Sequence, residues 1–416
     1  MYYEEKDKIG GVMSIRQNKQ GLRVLTAGSI LQLLLGIIYV WSVFVAPVST
    51  EYAWETSGVM LTSSFMLSFF VVGILVGGKL LLRHGTQKVV LIGGLAMSVG
   101  MFTTAFLPSG DWARLMYLSY GIIGGFGVGM GYNAVISASQ KWFPQNRGFA
   151  TGVSACAFGF STVIFAPLVG GLVAQFGIRS TFIILSATAL IITLLLFRFI
   201  RLPDAGNPSP ASAALLAKRQ YTTSEALRTR EFYFIMFSLM CGTAVFFVLN
   251  PRFMDYSEQR GLAEFGTLVV MMTGVANALG RLGTPLLSDK IGREWATVLI
   301  LSITALCSIL MLFAQGFLFV VAVMAIAYCF GSLPGIYPVL TADYFGIKNV
   351  GSNYGAVMIG FAISALTFPM IIGLIASETA MFIVLAGLSA VGVALVLLLL
   401  KKAKEEDHGT KTANGQ

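Results

Sequence analysis

Long apolar runs separated by short polar breaks make up most of the chain. A helix crosses the roughly 30 Å hydrocarbon core of a bilayer with about 20 mostly apolar residues. Such runs occur twelve times and define spans 1 to 12: 23–47, 58–82, 88–108, 112–138, 147–174, 180–200, 231–252, 264–288, 295–315, 317–343, 349–375 and 378–400. The pattern therefore predicts an all-α membrane protein with twelve transmembrane helices.

One long polar break divides the twelve spans into six plus six. Residues 201–230 are rich in Pro, Ala, Ser and basic side chains and contain no apolar run of spanning length. No short apolar segment with a small-residue cleavage site precedes span 1, so no cleaved signal peptide is expected. The predicted organisation is an N-terminal segment 1–22, a six-helix bundle 23–200, a linker 201–230, a second six-helix bundle 231–400 and a tail 401–416.

Composition excludes several classes of protein. Of 416 residues, 56% are hydrophobic and 11% are charged, against about 25% charged in a soluble domain. A soluble enzyme, a disulfide-stapled secreted domain and a disordered chain are all excluded.

The net charge of +9 is typical either of a protein that binds nucleic acid or of a membrane protein with a basic cytoplasmic face. With both termini in the cytoplasm, the inner loops and ends hold 23 of the 28 Lys and Arg residues, and the outer loops hold four: Arg114, Arg179, Arg252 and Arg260. This bias favours a multi-pass protein of the inner (plasma) membrane with cytoplasmic termini, and no nucleic acid partner. Because 23 plus 4 is 27 of 28, one cation remains, Arg281.

The two halves of the chain carry related segments. Gly78–Lys88 follows span 2 and Pro285–Trp295 follows span 8, with Gly85 and Gly292 separated by 207 positions. Phe143 and Phe345 are related by an offset of 202 after spans 4 and 10. Repeats of this kind are typical of transporters that move two related bundles around a central site.

The segment after span 8 resembles the signature of the major facilitator superfamily. That signature is Gly-x-x-x-Asp-Lys-x-Gly-Arg, and Ser288–Glu294 reads SDKIGRE. In the first copy, Leu82 stands in place of the Asp and Thr86 in place of a basic residue. Basic residues here can cap helices and pair with a carboxylate on a neighbouring helix, which holds one gate state. The predicted gating residues are Gly78, Arg83, Gly85, Asp289, Lys290, Gly292 and Arg293.

Five further segments, in order along the chain, resemble the oxalate/formate antiporter family, which is similar to the monocarboxylate transporters. They are YVWSVFVAPV in span 1, GVGMGYNAVISASQKWFPQNRGFATG across spans 4 and 5, LRTREFYFIMF entering span 7, NALGRLGTPLLSDKIGR in span 8 and YFGIKNVGSNYGAVM entering span 11. The resemblance implies the major facilitator fold of two six-helix bundles and a carrier of small carboxylate anions.

Arg281 is the principal candidate for binding the anion. It lies eight residues before Asp289, the predicted cytoplasmic end of span 8, and so about 12 Å deep. An arginine at that depth costs about 2.5 kcal/mol or more unless it faces a wet cavity or a partner, and its planar fork matches a carboxylate. The alternative is that it snorkels to the cytoplasm or bonds backbone carbonyls. Asn277, one turn earlier, could bind substrate, orient the guanidinium or only pack helices.

The resemblance also implies an aromatic lining, although aromatic residues in membrane helices are often only packing residues. Tyrosine hydroxyls there could donate to a carboxylate. The implied residues are Tyr39 and Trp41 in span 1, Tyr132 in span 4, Phe158 in span 5, Phe330 and Tyr337 in span 10 and Phe361 in span 11.

Phe361 bears on the charge of the substrate. The resembled oxalate carrier has a lysine six residues after its NYG, and here that position is Phe361. One central cation suits a monoanion better than a dianion, since the second negative charge would be uncompensated in low dielectric. Lactate, pyruvate or formate is therefore expected rather than oxalate.

The leading hypothesis is a secondary transporter working by alternating access, either as a proton symporter or as an anion exchanger. The proton would travel with the substrate or reside on a group such as Asp255, because neither histidine lies in a span. The alternatives are an oxalate:formate exchanger and a non-transporting sensor. A channel would need charged rings along a pore, and an enzyme would need a metal or nucleophile. The expected protein is a monomer in the bilayer, with a carboxylate and a proton or counter-anion as partners and no cofactor.

Overall fold

The computed structural model describes residues 18–203, 213, 216–217, 219–373, 375 and 377–413, without the side chains of 251, 254, 255, 263, 266, 267, 270 and 403–413. The predicted N-terminal segment falls largely outside this set, the predicted linker falls partly outside it, and so does the side chain of Asp255. Regular structure in the described part is entirely helical. The prediction of an all-α membrane protein is confirmed.

The helices of the first six spans include two long elements that each hold two predicted spans. Thr56–Ala105 contains spans 2 and 3, and Arg147–Leu196 contains spans 5 and 6. Span 1 comprises helix Lys19–Leu35, 3-10 turn Gly36–Val40 and helix Trp41–Glu51. Span 4 comprises 3-10 turn Gly110–Leu115, π-helix Tyr117–Gly124 and helix Gly125–Trp142. The 3-10 turn Phe197–Phe199 follows span 6.

Spans 7 to 12 are separate helices joined by short turns. The helix of span 12 continues 13 residues beyond the predicted end at 400. The elements are Thr223–Ala226, Arg230–Leu249, 3-10 turn Asn250–Arg252, Phe253–Gln259, 3-10 turn Ala263–Phe265, Gly266–Ile291, Arg293–Leu310, Gly316–Phe345, Val350–Gly373 and Glu378–Ala413.

Equivalent glycines form the turn after span 2 and the turn after span 8. Gly85 has φ 78° and ψ 168°, and Gly292 has φ 94° and ψ 152°. A residue with a Cβ rarely adopts this backbone conformation. The two equivalent positions of the predicted repeat therefore share one backbone geometry, which Gly177 between spans 5 and 6 also adopts.

Nine helical stretches in the described residues are long and apolar enough to cross a membrane. Two of them, Thr56–Ala105 and Arg147–Phe199, are broken by Gly85 and Gly177 and hold two spans each, which accounts for eleven predicted spans. Span 8 is the more polar helix Gly266–Ile291. Its 26 residues rise about 39 Å, more than the thickness of the hydrocarbon core.

The described chain forms two compact units. The first runs to Thr222 and includes the segment Phe345–Gly355; the second comprises Thr223–Tyr344 and the residues from Ala356 onward. We call Phe345–Gly355 the entry segment, because it contains the start of the span 11 helix. The sequence assigns this segment to the second bundle, yet it packs with the first unit.

Glycines bring span 4 against two neighbours in the first unit. A Cβ on Gly129 would lie 2.0 Å from the Phe70 carbonyl oxygen of span 2, and one on Gly127 would lie 2.4 Å from the Gly93 oxygen of span 3. Backbones can approach this closely only where side chains are absent. This packing fixes the position of the next residues of span 4, Tyr132 and Asn133.

Candidate functional site

Arg281 is the largest fully buried side chain of the described residues, with 1% of its surface exposed. Its Nε donates a hydrogen bond to Asn277 Oδ1 at 2.8 Å. Asn277 lies one turn toward the start of the helix, which is the direction helical side chains take. The contact points away from the Asp289 end, so this geometry does not support snorkelling toward that end.

Glycines around Arg281 let span 10 approach the backbone of span 8. A Cβ on Gly331 would lie 2.0 Å from the Asn277 carbonyl oxygen, and one on Gly335 would lie 2.7 Å from the Arg281 carbonyl oxygen. Gly280 likewise faces the backbone of Tyr328, at 2.0 Å from its oxygen. Gly280 therefore packs directly against the backbone of span 10.

Aromatic rings cluster around Phe330, which precedes Gly331. Phe330 stacks on Phe246 at 4.0 Å between ring centroids, and Phe247 meets Phe330 at 5.3 Å and Phe361 at 5.0 Å. The structure thus brings Phe330 and Phe361 together, 6.2 Å apart. Phe246 and Phe247, adjacent in span 7, were missed from the sequence, although the pair of rings in an apolar run was a visible signal.

Tyr337 has a different environment within the second unit. Its hydroxyl and the Ser238 Oγ are 2.9 Å apart, and neither residue is exposed. This bond links spans 7 and 10. A donor engaged in this way supports the helix pair, and its predicted contact with substrate stays a prediction.

In the first unit, three of the predicted aromatic residues meet. The Phe158 ring contacts Tyr39 at 5.5 Å and Tyr132 at 4.9 Å, both edge-on. Phe70, missed from the sequence, contacts Tyr132 at 5.4 Å. We call Tyr39, Phe70, Tyr132 and Phe158 the tyrosine cluster.

Trp41 packs elsewhere. Its ring stacks on Tyr120 at 4.6 Å, and its Nε1 donates to the Val59 carbonyl at 3.0 Å. Tyr120 belongs to the π-helical stretch of span 4. These contacts of Trp41 join spans 1, 2 and 4 and do not involve the tyrosine cluster.

Asn133, the residue after Tyr132, was also missed from the sequence. It is fully buried, and its Nδ2 donates to the Ile74 carbonyl at 2.7 Å and to the Gly351 carbonyl at 2.8 Å. Its Oδ1 accepts from Ser137 Oγ at 3.3 Å. One amide therefore joins span 4 to span 2 and to the entry segment.

The entry segment lies directly on span 2. A Cβ on Gly78 would lie 2.4 Å from the Gly351 carbonyl oxygen, so Gly78 permits backbone contact. From the other side, the Tyr221 carbonyl accepts from Asn349 Nδ2 at 2.8 Å and from Asn353 Nδ2 at 3.1 Å. The end of the predicted linker is therefore part of this contact.

The turn after span 8 carries an ionic network. Arg293 pairs with Asp289, donates to Ser288 Oγ at 2.5 Å and lies 3.4 Å from Asp343. The repeat relation aligns Thr86 with Arg293, and Thr86 Oγ1 instead donates to the Ile200 carbonyl at 2.7 Å. The first copy of the turn therefore replaces an ionic contact with a neutral one.

The described residues offer no group of three His, Cys, Asp or Glu side chains that could hold a metal ion. The four cysteines are free thiols, three buried and one partly exposed.

The profile of the Major Facilitator Superfamily matches residues 26–337 and 286–416. The chain belongs to the major facilitator superfamily. Among solved structures, it is similar to the superfamily transporter FucP in the outward conformation, with a TM-score of 0.69, 15% identity and coverage of 91% of this chain and 99% of that one. This likeness confirms the major facilitator fold predicted from the sequence.

Two relatives in the superfamily match the resemblance noted in the sequence. The oxalate:formate antiporter of Oxalobacter formigenes is 26% identical over 330 residues, covering 78% of this chain and 77% of that protein. Monocarboxylate transporter 11 of Homo sapiens is 27% identical over 325 residues, covering 74% and 66%. The chain is therefore a multi-pass membrane transporter and not an enzyme.

Proposed function

We propose that this transporter carries small monocarboxylates, such as lactate, pyruvate or formate, by alternating access, with Arg281 as the anion anchor. The observation that carries the proposal is a guanidinium in the middle of a spanning helix, 1% exposed and oriented by Asn277. A carboxylate that paired with the planar guanidinium through two parallel hydrogen bonds would be fixed in orientation as well as in charge.

The aromatic surroundings favour a small substrate with one charge. Phe361 is 3% exposed and contacts Phe247, so the position that bears a lysine in the resembled oxalate carrier is apolar here. A dianion would keep one uncompensated charge in a low-dielectric site, which is unfavourable by several kcal/mol. The tyrosine cluster, Trp41 and Tyr337 remain proposed substrate contacts.

Oxalate:formate exchange is the second candidate function. It is favoured by one observation, the relative of that name at 26% identity. Both candidates place the protein in the plasma membrane with cytoplasmic termini, on the charge bias of the loops. Proton symport and anion exchange both remain compatible with a monomeric carrier.

The inner gate is proposed to include the entry segment. In alternating access, the contacts that close one side must open when the other side closes. Asn133 and Gly78 hold the entry segment on spans 2 and 4, close in sequence to Tyr132 of the tyrosine cluster. The ionic turn of Asp289 and Arg293 would stabilise the same side, together with Arg83, Gly85, Lys290 and Gly292.

Counterflow into proteoliposomes tests the substrate assignment. Vesicles loaded with unlabelled lactate, pyruvate, formate or oxalate would take up the corresponding labelled anion, with and without a pH gradient. The proposal expects rapid counterflow of the monocarboxylates and little of oxalate. Fast oxalate:formate exchange would favour the second candidate, and movement of none of the four would contradict both.

A further inference from the structure

A pocket of about 240 Å³ opens at the end of the first unit where span 1 begins and span 6 ends. This volume is well above what a single bound water needs. Three of its six lining residues are arginines. The lining residues are Gln20, Arg23, Val24, Arg198, Phe199 and Arg201.

Side chains just outside neighbouring spans hold the backbone of the pocket wall at the end of span 6. Each of the three carbonyls involved accepts one hydrogen bond, so the arginines project from a fixed backbone. The bonds are Gln87 Nε2 to Arg198 at 2.7 Å, Thr86 Oγ1 to Ile200 at 2.7 Å and Trp142 Nε1 to Arg201 at 2.6 Å.

The opposite wall is tied to the same tryptophan. Asn18 caps the start of span 1 by accepting from Gly21 N at 2.8 Å, and its Nδ2 donates to the Trp142 carbonyl at 2.8 Å. Trp142 therefore holds both walls, Arg23 on one side and Arg201 on the other. Because its backbone is held in this way, the pocket loses little backbone entropy when it binds a ligand.

The three arginines have no acidic neighbour in the described part of the first six spans. Residues 18–203 contain three carboxylates, Glu51, Glu55 and Asp111, and these lie at the opposite ends of the helices, after span 1, before span 2 and before span 4. Clustered like charges raise the local potential and favour an anion. Guanidinium groups bind phosphate through paired hydrogen bonds.

We propose that this pocket binds the phosphate of an anionic phospholipid. Basic pockets between transmembrane helices at a membrane surface suit anionic headgroups. The apolar residues favour lipid over free phosphate: Val24 and Phe199 line the pocket, and Leu195, one turn before Phe199, is 64% exposed on a spanning helix. Acyl chains could lie along that surface while the phosphate contacts the arginines.

Native mass spectrometry of the purified full chain tests the proposal, with phosphatidylglycerol, phosphatidylcholine and inorganic phosphate as separate probes. The test variant is Arg23→Gln/Arg198→Gln/Arg201→Gln. The control variant, Lys79→Gln/Arg228→Gln/Arg230→Gln, removes three exposed cations outside the pocket. Wild type and control should bind phosphatidylglycerol more tightly than phosphatidylcholine, and the pocket variant should lose about 100-fold in that affinity.

Each other outcome would overturn the assignment. Equal phosphatidylglycerol affinity in wild type and pocket variant would show that these arginines do not bind the lipid. Competition by low-millimolar inorganic phosphate would identify free phosphate as the ligand instead. If the triple variant failed to fold, Arg201→Gln alone should still lower the affinity several-fold, and no change there would contradict the proposal equally.

Discussion

Replacing Asn133 with alanine tests whether its amide stabilises the closed arrangement of the entry segment. The variant loses three hydrogen bonds, but the bonds to Ile74 and Ser137 lie within spans 2 and 4 and do not involve the entry segment. Only the 2.8 Å bond to the Gly351 carbonyl requires the entry segment to lie against span 4, the arrangement that we call seated. A neutral hydrogen bond contributes about 1 kcal/mol net, so the seated population should fall about fivefold relative to the released one.

Alkylation of a cysteine at Ser352 measures that population. Ser352 is 4% exposed, and its Cα would lie 2.7 Å from a Cβ on Gly78, so it is at the contact itself. In a background without the four native cysteines, Ser352→Cys should react with a permeant maleimide about fivefold faster when Asn133→Ala is added, within a range of about two- to twelvefold.

Ser137→Ala is the matched control for this experiment. Ser137 Oγ donates to Asn133 Oδ1 at 3.3 Å and is buried on the same span, but its loss leaves both amide donors of Asn133 in place. When Ser137→Ala is added to the Ser352→Cys protein, the cysteine should react with the maleimide at close to its original rate. An unchanged rate in a folded Asn133→Ala protein, or equal acceleration by both variants, would refute the reasoning.

Three further predictions concern the second unit. Phe361→Lys should shift selectivity toward oxalate over lactate by about tenfold, because the lysine would supply a second positive charge. Competitive counterflow measures this selectivity. An unchanged ratio of oxalate to lactate transport in an active variant would contradict the charge argument. Asn277→Ala should raise the KM for lactate by about tenfold or more with a smaller change in kcat. The reason is that a hydrogen bond to a charged group, here that of Arg281 at 2.8 Å, contributes about 1.5–3 kcal/mol. An unaltered KM would count against the orienting role. Gly331→Ala should destabilise the protein by about 1–3 kcal/mol, since its Cβ would lie 2.0 Å from the Asn277 oxygen. Gly274→Ala, whose Cβ would meet nothing within 4 Å, should leave the melting temperature unchanged or slightly higher. Similar melting of the two variants would disprove the close packing.

Features that depend on local pattern were predictable from the sequence. Apolar runs of spanning length predicted the helices, and the offset of Gly85 and Gly292 predicted a repeated turn that both residues form at positive φ. Arg281 stood out because it was the one cation that neither face could accommodate, and the structure buries it.

Features that depend on packing between distant residues were not predictable. The 3-10 turn at Gly36–Val40 has no local signature; a Cβ on Gly36 would lie 2.1 Å from the Phe158 oxygen, so the turn is shaped by contact with span 5. Asn133 reads as one polar residue in an apolar helix, and its two acceptors are 59 and 218 positions away. The family resemblance grouped Trp41 with Tyr39, but the Trp41 ring packs on Tyr120.

Counterflow of labelled lactate by Arg281 variants tests the central claim most directly. Arg281→Gln removes the charge, and Arg281→Lys keeps the charge but lacks the planar fork that binds a carboxylate through two hydrogen bonds. The control is Arg228→Gln, an exposed cation of the linker. We predict that Arg281→Gln abolishes counterflow, that Arg281→Lys lowers kcat/KM about tenfold or more, and that Arg228→Gln transports normally. Wild-type counterflow by a folded Arg281→Gln protein would contradict the claim that Arg281 anchors the substrate.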